Sequence, residues 1–382
     1  MIVVSMQIGI ITFFNSVNYG AYLQSYALCS RINKEPDIQA ELVNFRMPSE
    51  IECYSRFTTL RKNIFLMNYN RKREKCFEDA LHEQTLSQPA LVTSSLKEFS
   101  DFVYGKYDIL IAGSDEIWKA DGYRGFPTPY FLPGDLGARK LAYAASGRTP
   151  FSVLSEENQK ILKDYLDDFE WIGVRDDKTY KEVLQVVDDK SKVCMTYDPT
   201  LVYGFKPNRD RGRQILKNRY HIDVNKTVLG VMYSEDWKSK DGLIRYLRKN
   251  YKDVELVSLF EWTLYAKNTP GLSPLDWVDV IAGMDGIVTM YFHAVCFSLI
   301  GGTPFVAIEN RAPNNEESKL YDLLQSISCS ERYFFGKNDA IESGKIDELV
   351  RTARSGIRDD NRELLCKAEQ SFDTFLDVIR KG

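Results

Sequence analysis

The chain has 382 residues, enough for two or three domains and a large buried core. Apolar residues make up 44% of it and charged residues 27%, with 22 Tyr and 21 Phe, which excludes a disordered or fibrous protein. The formal net charge of -4 argues against a general nucleic-acid-binding protein, because such proteins gain their affinity by neutralising phosphates.

The cysteine pattern and the apolar start indicate a cellular compartment. The seven cysteines are odd in number and widely spaced, which is typical of reduced packing cysteines. The opening MIVVSMQIGIITFF lacks the basic region and the small-residue cleavage site of a signal peptide. No run reaches the ~18 apolar residues of a membrane-spanning helix. We therefore expect a soluble, cytoplasmic protein.

Short apolar runs followed by helical stretches recur along the chain, which predicts parallel α/β units. The first strand, QIGIITFF, leads into NSVNYGAYLQSYALCSRI, where Tyr22, Tyr26 and Cys29 recur at helical spacing. Further predicted strands of the first half are QAELVNFR, YDILIAGS, RKLAYAAS and FEWIGVRD. Ser155 is the predicted N-cap of the helix SEENQKILKDYLDDF. The second half repeats the pattern with KTVLGVMYS, DVELVSLF, DGIVTMYF and TPFVAIEN.

A stretch rich in Pro, Gly and Arg separates the two halves. DPTLVYGFKPNRDRGRQ interrupts the periodic pattern and predicts a linker near residues 203–216. Two open α/β domains imply a cleft at the carboxyl ends of their sheets, where ligands of such folds bind. We expect domains over residues 1–205 and 206–360, and a closing helix over 361–382 that packs back on the first domain.

Basic and apolar residues alternate over residues 56–75, RFTTLRKNIFLMNYNRKREK. One interpretation is a solvated helix that packs its apolar side inward. The other is a helix lying on an anionic membrane surface, near a lipid-linked substrate. The first pattern is the commoner one. The second would give the protein a peripheral position at the inner face of the membrane.

The run YDILIAGSDEIW ends a predicted strand in Gly113, Ser114 and Asp115. Gly113 and Ser114 allow a tight turn with exposed N–H groups, and Asp115 leaves the sheet at the end where sites form. A carboxylate in that position can serve as a general acid or base. It can equally cap the turn that follows.

Of the three histidines, His293 follows an apolar strand and opens an apolar helix. The N-terminus of a helix offers unpaired N–H groups and a partial positive charge, which attract an anion such as phosphate. A buried core histidine fits the same pattern. A metal site is not expected, because no second His or Cys lies at ligand spacing.

These stretches and several others resemble the polysaccharide pyruvyl transferase family. The likeness runs from about residue 8 to residue 335, with the motifs in the family's order. The similar segments are ITFFNSVNYGAYLQSYAL, YDILIAGSDEIW, KLAYAASG, WIGVRDD, YDPTLVY, IVTMYFHAVCFSLIGGTPFVAI and SKLYDLLQSI. Each motif alone is weakly specific, whereas their occurrence in order is a strong signal.

The resemblance implies an α/β fold of two Rossmann-like domains in a GT-B-like arrangement with an interdomain cleft. The acceptor would bind on the first domain and the donor on the second. The implied reaction transfers pyruvate from phosphoenolpyruvate to two hydroxyls of a sugar, as a cyclic ketal, with release of phosphate. The sugar would belong to a cell-surface polysaccharide or its lipid-linked precursor. Phosphoenolpyruvate is then a co-substrate, and we expect no further cofactor.

The resemblance also implies roles for particular residues. Asp115 matches the acid/base, His293 the histidine at the donor site and Arg175 the arginine that grips the donor; a salt bridge to Asp176 or Asp177 is the alternative for Arg175. The other predicted substrate contacts are Asn18, Tyr19, Gly20, Gln24, Gly113, Ser114, Arg148 and Tyr291. Gly20 would allow close approach of a ligand, and Asn18 and Gln24 would bind sugar hydroxyls, with helix capping as the alternative for Asn18.

The sequence departs from the family pattern beside His293. The tripeptide MYF stands where many members have Ser-Arg-x and others Ser-Phe, so an expected cation is absent. Arg148, Arg311 or Lys319 would have to supply it. Glu116, which replaces a commoner Gln, adds a negative charge. Two alternatives therefore stay open: a GT-B glycosyltransferase that uses a sugar nucleotide, and a non-catalytic sugar- or nucleotide-binding partner in polysaccharide assembly.

Overall fold

The computed structural model describes residues 5–59, 64–120, 124–147, 149–234, 242–309 and 318–381. Its strands are β1 (Met6–Ile11), β2 (Ile38–Leu42), β3 (Phe45–Arg46), β4 (Leu91–Val92), β5 (Ile109–Ala112), β6 (Arg139–Ala145), β7 (Trp171–Val174), β8 (Val193–Met195), β9 (Val228–Met232), β10 (Glu255–Ser258), β11 (Lys267–Asn268), β12 (Gly286–Thr289), β13 (Phe305–Glu309) and β14 (Tyr333–Phe335). Its helices are α1 (Tyr19–Ile32), α2 (Pro48–Thr59), α3 (Ile64–Ala80), α4 (Leu96–Val103), α5 (Glu156–Asp167), α6 (Asp177–Val186), α7 (Pro199–Val202), α8 (Arg209–Tyr220), α9 (Leu243–Asn250), α10 (Pro274–Gly283), α11 (Phe292–Gly301), α12 (Lys319–Ser326), α13 (Lys337–Glu342), α14 (Lys345–Ser355) and α15 (Arg362–Arg380).

The chain forms two compact units, each built on a six-stranded parallel sheet. Unit 1 comprises the described residues up to Thr59, Ala80–Gly204 and the chain from Lys367 onward, and its sheet has the order β2-β1-β5-β6-β7-β8. Unit 2 comprises the described residues 64–79 and Phe205–Cys366, with the sheet order β11-β10-β9-β12-β13-β14. Strands β3 and β4 form a separate parallel pair. The α/β fold class is the one expected from the sequence.

The structure confirms the predicted strands, and each central strand is an apolar run. In a parallel sheet helices cover both faces, so a strand has no solvent side and needs no polar residues. β5 (ILIA) and β9 (VLGVM) are accordingly buried at every position. The Ser155 cap is also confirmed, since its hydroxyl accepts a hydrogen bond from Asn158 N at the start of α5.

Helix α8 corrects the second half of the predicted linker. The units divide between Gly204 and Phe205, but the arginine-rich stretch that follows is helical and is capped by Asn208. Arg211 in this helix pairs with Asp276 and Asp279 of α10. α8 and α10 also approach closely, because a Cβ at Gly212 would overlap the Asp279 carbonyl oxygen. The arginines therefore serve helix packing rather than an irregular connection.

Helix α3 belongs to unit 2, which departs from the predicted domain of residues 1–205. Tyr69 Oη and Arg73 Nη1 both donate to the carbonyl oxygen of Phe260, at 2.9 and 3.1 Å, and the Arg73 guanidinium lies 4.6 Å from the Phe260 ring centroid. The Cys76 thiol, in the same helix, donates to the carbonyl oxygen of Leu272. These contacts agree with the inward-packing interpretation at Tyr69 and Arg73, whereas residues 60–63 of the segment 56–75 lie outside the described part of the chain. Membrane contact stays a prediction, and none of the described helices is both long and apolar enough to cross a bilayer.

The closing helix α15 packs on unit 1. Its Phe372 and Phe375 rings lie 5.1 and 4.7 Å from the ring of Tyr143 in β6. Arg139, at the amino end of the same strand, donates to the carbonyl oxygens of Val378 and Ile379. The last turn of α15 is thereby joined to the amino end of the sheet, away from the carboxyl edge where Asp115 lies.

Candidate functional site

Three charged side chains meet at the carboxyl edge of the first sheet. Asp115 follows β5, Arg175 follows β7, and Asp198 is the N-cap of α7. Arg175 Nη2 donates to Asp115 Oδ1 at 2.9 Å, and Arg175 Nη1 donates to Asp198 Oδ2 at 2.7 Å. The side chain of Asp115 is 16% exposed, that of Arg175 1% and that of Asp198 0%. Asp115 is therefore the solvent-facing member of a buried ion triad.

Arg175 is surrounded by carboxylates. Burial acts to lower the pKa of its guanidinium, but the charges of Asp115, Asp198, Asp176 and Glu116 oppose this, and together they raise the pKa above its usual value. Arg175 is therefore positively charged at every working pH. The sequence alternative of a salt bridge to Asp176 or Asp177 is replaced by pairs with Asp115 and Asp198. Whether Arg175 also contacts a donor stays a prediction.

The two carboxylate oxygens of Asp115 differ in their contacts. Oδ1 is bound to Arg175, whereas Oδ2 has no hydrogen-bond partner among the residues that the structure describes. No described backbone N–H donates to the carboxylate, so the turn-cap alternative is not realised there. The backbone of Asp115 has a φ of 78°, a left-handed conformation that Asp adopts more readily than most residues. Its carbonyl oxygen accepts from Ser146 N at 3.0 Å, which fixes the loop against the next strand.

Gly113 and Ser114 shape the loop that carries Asp115. Gly113 has a φ of 133°, and a Cβ there would overlap the carbonyl oxygen of Tyr143, so only glycine fits. Ser114 is fully buried, its hydroxyl donates to Gln24 Oε1, and its carbonyl oxygen accepts from Thr12 Oγ1 at 2.8 Å. Both residues were predicted to contact substrate. In the structure they position the neighbouring aspartate.

The predicted sugar contacts on α1 are largely internal. Asn18 Oδ1 accepts from the N–H groups of Gly20 and Ala21 at 2.9 and 3.4 Å, so the capping alternative is the one observed. Gln24 is fully buried, and its amide nitrogen donates to Thr12 Oγ1 and to the Phe13 and Ala21 carbonyl oxygens. Tyr19 and Gly20 are also buried. This corrects Gln24 to a loop-supporting residue, because a fully buried amide has no free donor for a sugar.

A second polar network lies beside the ion triad. Ser146 Oγ, after β6, donates to Asp176 Oδ2 at 2.6 Å, and Asp176 Oδ1 accepts from both N and Oγ1 of Thr179. Asp198 was not assigned a role from the sequence, and Asp176 was considered only as a salt-bridge partner of Arg175. Both stand directly before a helix at the carboxyl end of a strand, which is the signal that could have identified them as caps at this edge.

In unit 2 His293 is the second residue of α11, directly beyond the carboxyl end of β12. Its ring is partly buried, with Nε2 inside the protein, and stands perpendicular to Phe292 at 5.2 Å between centroids. Tyr291 is directed to Glu261, to which its hydroxyl donates at 3.2 Å. Burial raises the pKa of Tyr291, and the charge of Glu261 adds to this.

Lys319 is the described candidate for the missing cation beside His293. Its Nζ lies 5.6 Å from the centroid of the Phe292 ring. Arg148 and Arg311, the other candidates, lie outside the described residues. Asp115 belongs to unit 1 and His293 to unit 2, and the cleft expected between the two domains stays a prediction. Among the described residues no group of three or more His, Cys, Asp or Glu could hold a metal ion.

The fold and the site motifs define a class of protein. Two parallel-sheet units of Rossmann-like type make this an α/β protein with a GT-B-type fold. The sequence model of the polysaccharide pyruvyl transferase family matches residues 18–311, which include Asp115, Arg175, Asp198 and His293. The chain belongs to this family of transferases. No curated protein matches it in sequence.

Several solved structures share the fold. Anabaena Alr3699/HepE in complex with UDP has a TM-score of 0.55 at 12% identity, over 98% of this chain and 100% of that chain. The UDP-GlcNAc 2-epimerase of Methanocaldococcus jannaschii has a TM-score of 0.54 at 10% identity, over 99% and 100%. That of Neisseria meningitidis, bound to UDP-GlcNAc, has a TM-score of 0.51 at 10% identity, over 99% and 100%. At these identities the likeness shows the fold alone.

Proposed function

We propose that this protein transfers the pyruvyl unit of phosphoenolpyruvate to two hydroxyl groups of a sugar, forming a cyclic ketal and releasing phosphate. The observation that carries the proposal is Asp115, a carboxylate in the matched family region with one oxygen that none of the described residues hydrogen-bonds. The family supports a transferase, and the ketal chemistry is our inference from it. The sugar would be part of a cell-surface polysaccharide or of its lipid-linked precursor.

The reaction defines what the site must do. Two sugar oxygens form bonds to C2 of phosphoenolpyruvate, and the bond between C2 and the phosphate oxygen breaks. One hydroxyl proton ends on the methylene carbon, which becomes the methyl group of the ketal, and the other leaves with phosphate. A group that accepts and donates protons and a group that holds the departing phosphate are therefore required.

Asp115 is suited to the proton transfer. Its Oδ2, which no described residue hydrogen-bonds, is an acceptor for a sugar hydroxyl, and the ion pair with Arg175 limits the rotation of the carboxylate. A sugar hydroxyl is uncharged, so the surrounding carboxylates do not oppose its approach. In this proposal Asp115 takes a proton from the attacking hydroxyl.

The donor would bind in unit 2. The amino end of α11 offers N–H groups and a partial positive charge to a phosphate or carboxylate. His293 stands in the first turn of that helix, and Lys319 lies over the neighbouring Phe292 ring. This arrangement would replace part of the positive charge that the tripeptide MYF lacks.

A glycosyltransferase that uses a sugar nucleotide is the second candidate. The neighbour Alr3699/HepE was solved with UDP and with UDP-glucose, and the Neisseria epimerase with UDP-GlcNAc. A nucleotide diphosphate could use the same helix amino end. The two candidates differ in the donor, so the donor decides between them.

A thermal-shift titration with phosphoenolpyruvate, UDP-glucose and UDP-GlcNAc compares the donors directly. A ligand at 100 times its dissociation constant adds about 2.7 kcal/mol of apparent stability. We expect this response with phosphoenolpyruvate. A response to the sugar nucleotides alone would favour the second candidate.

Turnover is tested with a panel of free and lipid-linked oligosaccharides, by release of phosphate and by a product heavier by pyruvate less one water. Asp115→Asn should lower kcat by ~10² or more, the usual scale for losing a general acid or base, with donor binding retained. Asp101→Asn is the matched control, because Asp101 belongs to an exposed ion pair on α4. Equal kcat values for the two variants would show that Asp115 is not the general acid or base of the reaction.

A further inference from the structure

We propose that Arg175 and Asp198 are positioning residues that hold Asp115 in its working orientation, and that Arg175 does not contact the donor. The proposal rests on the proposed function, since it supports the role of Asp115 there. It revises the role that the family pattern suggested for Arg175, and it gives a role to Asp198, which the sequence left unassigned.

The three side chains form a support that is rigid at its inner end. Asp198 Oδ1 accepts from Thr200 N at 3.0 Å and from Thr200 Oγ1 at 2.7 Å, while its Oδ2 accepts from Arg175. Both carboxylate oxygens of Asp198 are therefore engaged, and its side chain is completely buried. Arg175 bridges from this fixed point to Asp115 through its two terminal nitrogens, and the planar guanidinium sets the geometry between them.

The burial of Arg175 argues against a donor contact. Its side chain is 1% exposed, so a ligand at this edge would meet the more exposed Asp115 first. The guanidinium also interacts with Asp176 and Glu116 in addition to its two hydrogen-bonded carboxylates. A trianionic donor such as phosphoenolpyruvate would be repelled by these carboxylates before it reached the arginine. A neutral sugar hydroxyl would meet no such barrier.

The support engages one oxygen of Asp115 and leaves the other without a hydrogen bond from the described part of the chain. Oδ1 is bound to Arg175, and the 16% exposed carboxylate stands on a loop that Gly113 and Ser114 hold against β6 and α1. Without Arg175 the carboxylate would be free to rotate about its side-chain bonds. The loss would appear in the rate of the chemical step and not in the affinity for the donor.

The test compares Arg175→Met, Arg175→Lys and Asp198→Asn with the wild type, each by kcat and by KM for phosphoenolpyruvate and for the acceptor. Arg139→Met is the matched control, because Arg139 is anchored to the same sheet at its amino end. Melting temperatures are recorded for all variants. Crystal structures of Arg175→Met and Asp198→Asn give a readout that does not depend on turnover.

We expect Arg175→Met and Asp198→Asn to lower kcat at least tenfold beyond the control, with KM for phosphoenolpyruvate within about threefold of wild type. Arg175→Lys should recover part of the rate, and the Asp115 carboxylate should leave its wild-type position in both crystal structures. A tenfold rise in KM for phosphoenolpyruvate at unchanged kcat would overturn the proposal and show that Arg175 binds the donor. So would kcat values no lower than those of the control.

Failure of the proposed function has a different outcome. If the wild-type protein releases no phosphate from phosphoenolpyruvate, the proposed function is wrong, and the crystal structures then decide the positioning role alone. An Asp115 carboxylate that keeps its place in Arg175→Met overturns that role. A displaced carboxylate supports it for whatever substrate the site takes.

Discussion

Replacing Gly113 by alanine tests how the loop that carries Asp115 is built. The residue has a φ of 133°, which costs a side-chain-bearing residue about 1–3 kcal/mol. A Cβ would also overlap the Tyr143 carbonyl oxygen and lie 3.0 Å from its carbonyl carbon, at the limit below which real Cβ atoms are essentially never found. Since backbone must move to relieve that overlap, a further 1–3 kcal/mol is expected, on the scale of overpacking in a core. With about 1 kcal/mol for the backbone conformation and about 2 kcal/mol for the overlap, the total is about 3 kcal/mol.

Gly105→Ala is the matched control. Gly105 also has a positive φ, 67°, but a Cβ there would meet nothing within 4 Å. It should therefore lose only the conformational part, about 1 kcal/mol. The difference of about 2 kcal/mol between the variants isolates the contact with Tyr143.

Native-state hydrogen exchange of the β5 and β6 amides measures this difference within unit 1 alone. A loss of 2 kcal/mol corresponds to about thirtyfold faster exchange, since 1.4 kcal/mol is a factor of ten. We expect that ratio between Gly113→Ala and Gly105→Ala. Equal exchange rates would show that the Cβ is accommodated, and the argument that only glycine fits at this turn would be wrong.

Three further predictions concern stability and the donor. Burial raises the pKa of the Glu50 carboxyl, so the folded protein holds this proton more tightly than the unfolded chain does. The free energy of unfolding therefore falls as the pH rises above the usual pKa of 4.5. Glu50→Gln should flatten the plot of Tm against pH in that range. Arg358→Met should cost about 3 kcal/mol or more, seen as faster exchange in β12, because Arg358 donates to the carbonyl oxygens of Met284, Ala282 and Gly301 at 2.6, 2.9 and 2.7 Å. His293→Ala should weaken phosphoenolpyruvate binding in a thermal-shift titration and lower turnover, whereas a lower Tm with unchanged binding would mark His293 as a packing residue.

The sequence predicted the central strands because their signal is local. A strand covered by helices on both faces must be apolar throughout, so runs such as ILIA in β5 and VLGVM in β9 stand out in the sequence itself. The short outer strands β8 and β14 were missed. Their sequences, VCM and YFF, are three residues each of partly exposed chain, too short to show a period.

Only the tertiary structure assigned α3 and α8. The sequence of α3 is compatible with a membrane surface or a protein surface, since both need an apolar face flanked by basic residues. The contacts of Tyr69 and Arg73 with Phe260 and of Cys76 with Leu272, 187 to 196 residues away, show that this part of α3 packs on protein. The arginines of α8 likewise read as an irregular linker until their aspartate partners on α10 are known.

The sequence by itself determined which residues end the strands of unit 1, and hence that Asp115 and Arg175 lie at its carboxyl edge, because strand and turn signals are carried by neighbouring residues. It did not determine their partners. Local spacing suggested Asp176 or Asp177 for Arg175, but Asp176 turns to cap α6 and bind Ser146. The parallel alignment of β5, β6 and β7 instead brings in Asp115, 60 residues earlier, and the start of α7 brings in Asp198, 23 residues later. Which charges meet at a sheet edge depends on strand order, and strand order is a property of the folded chain.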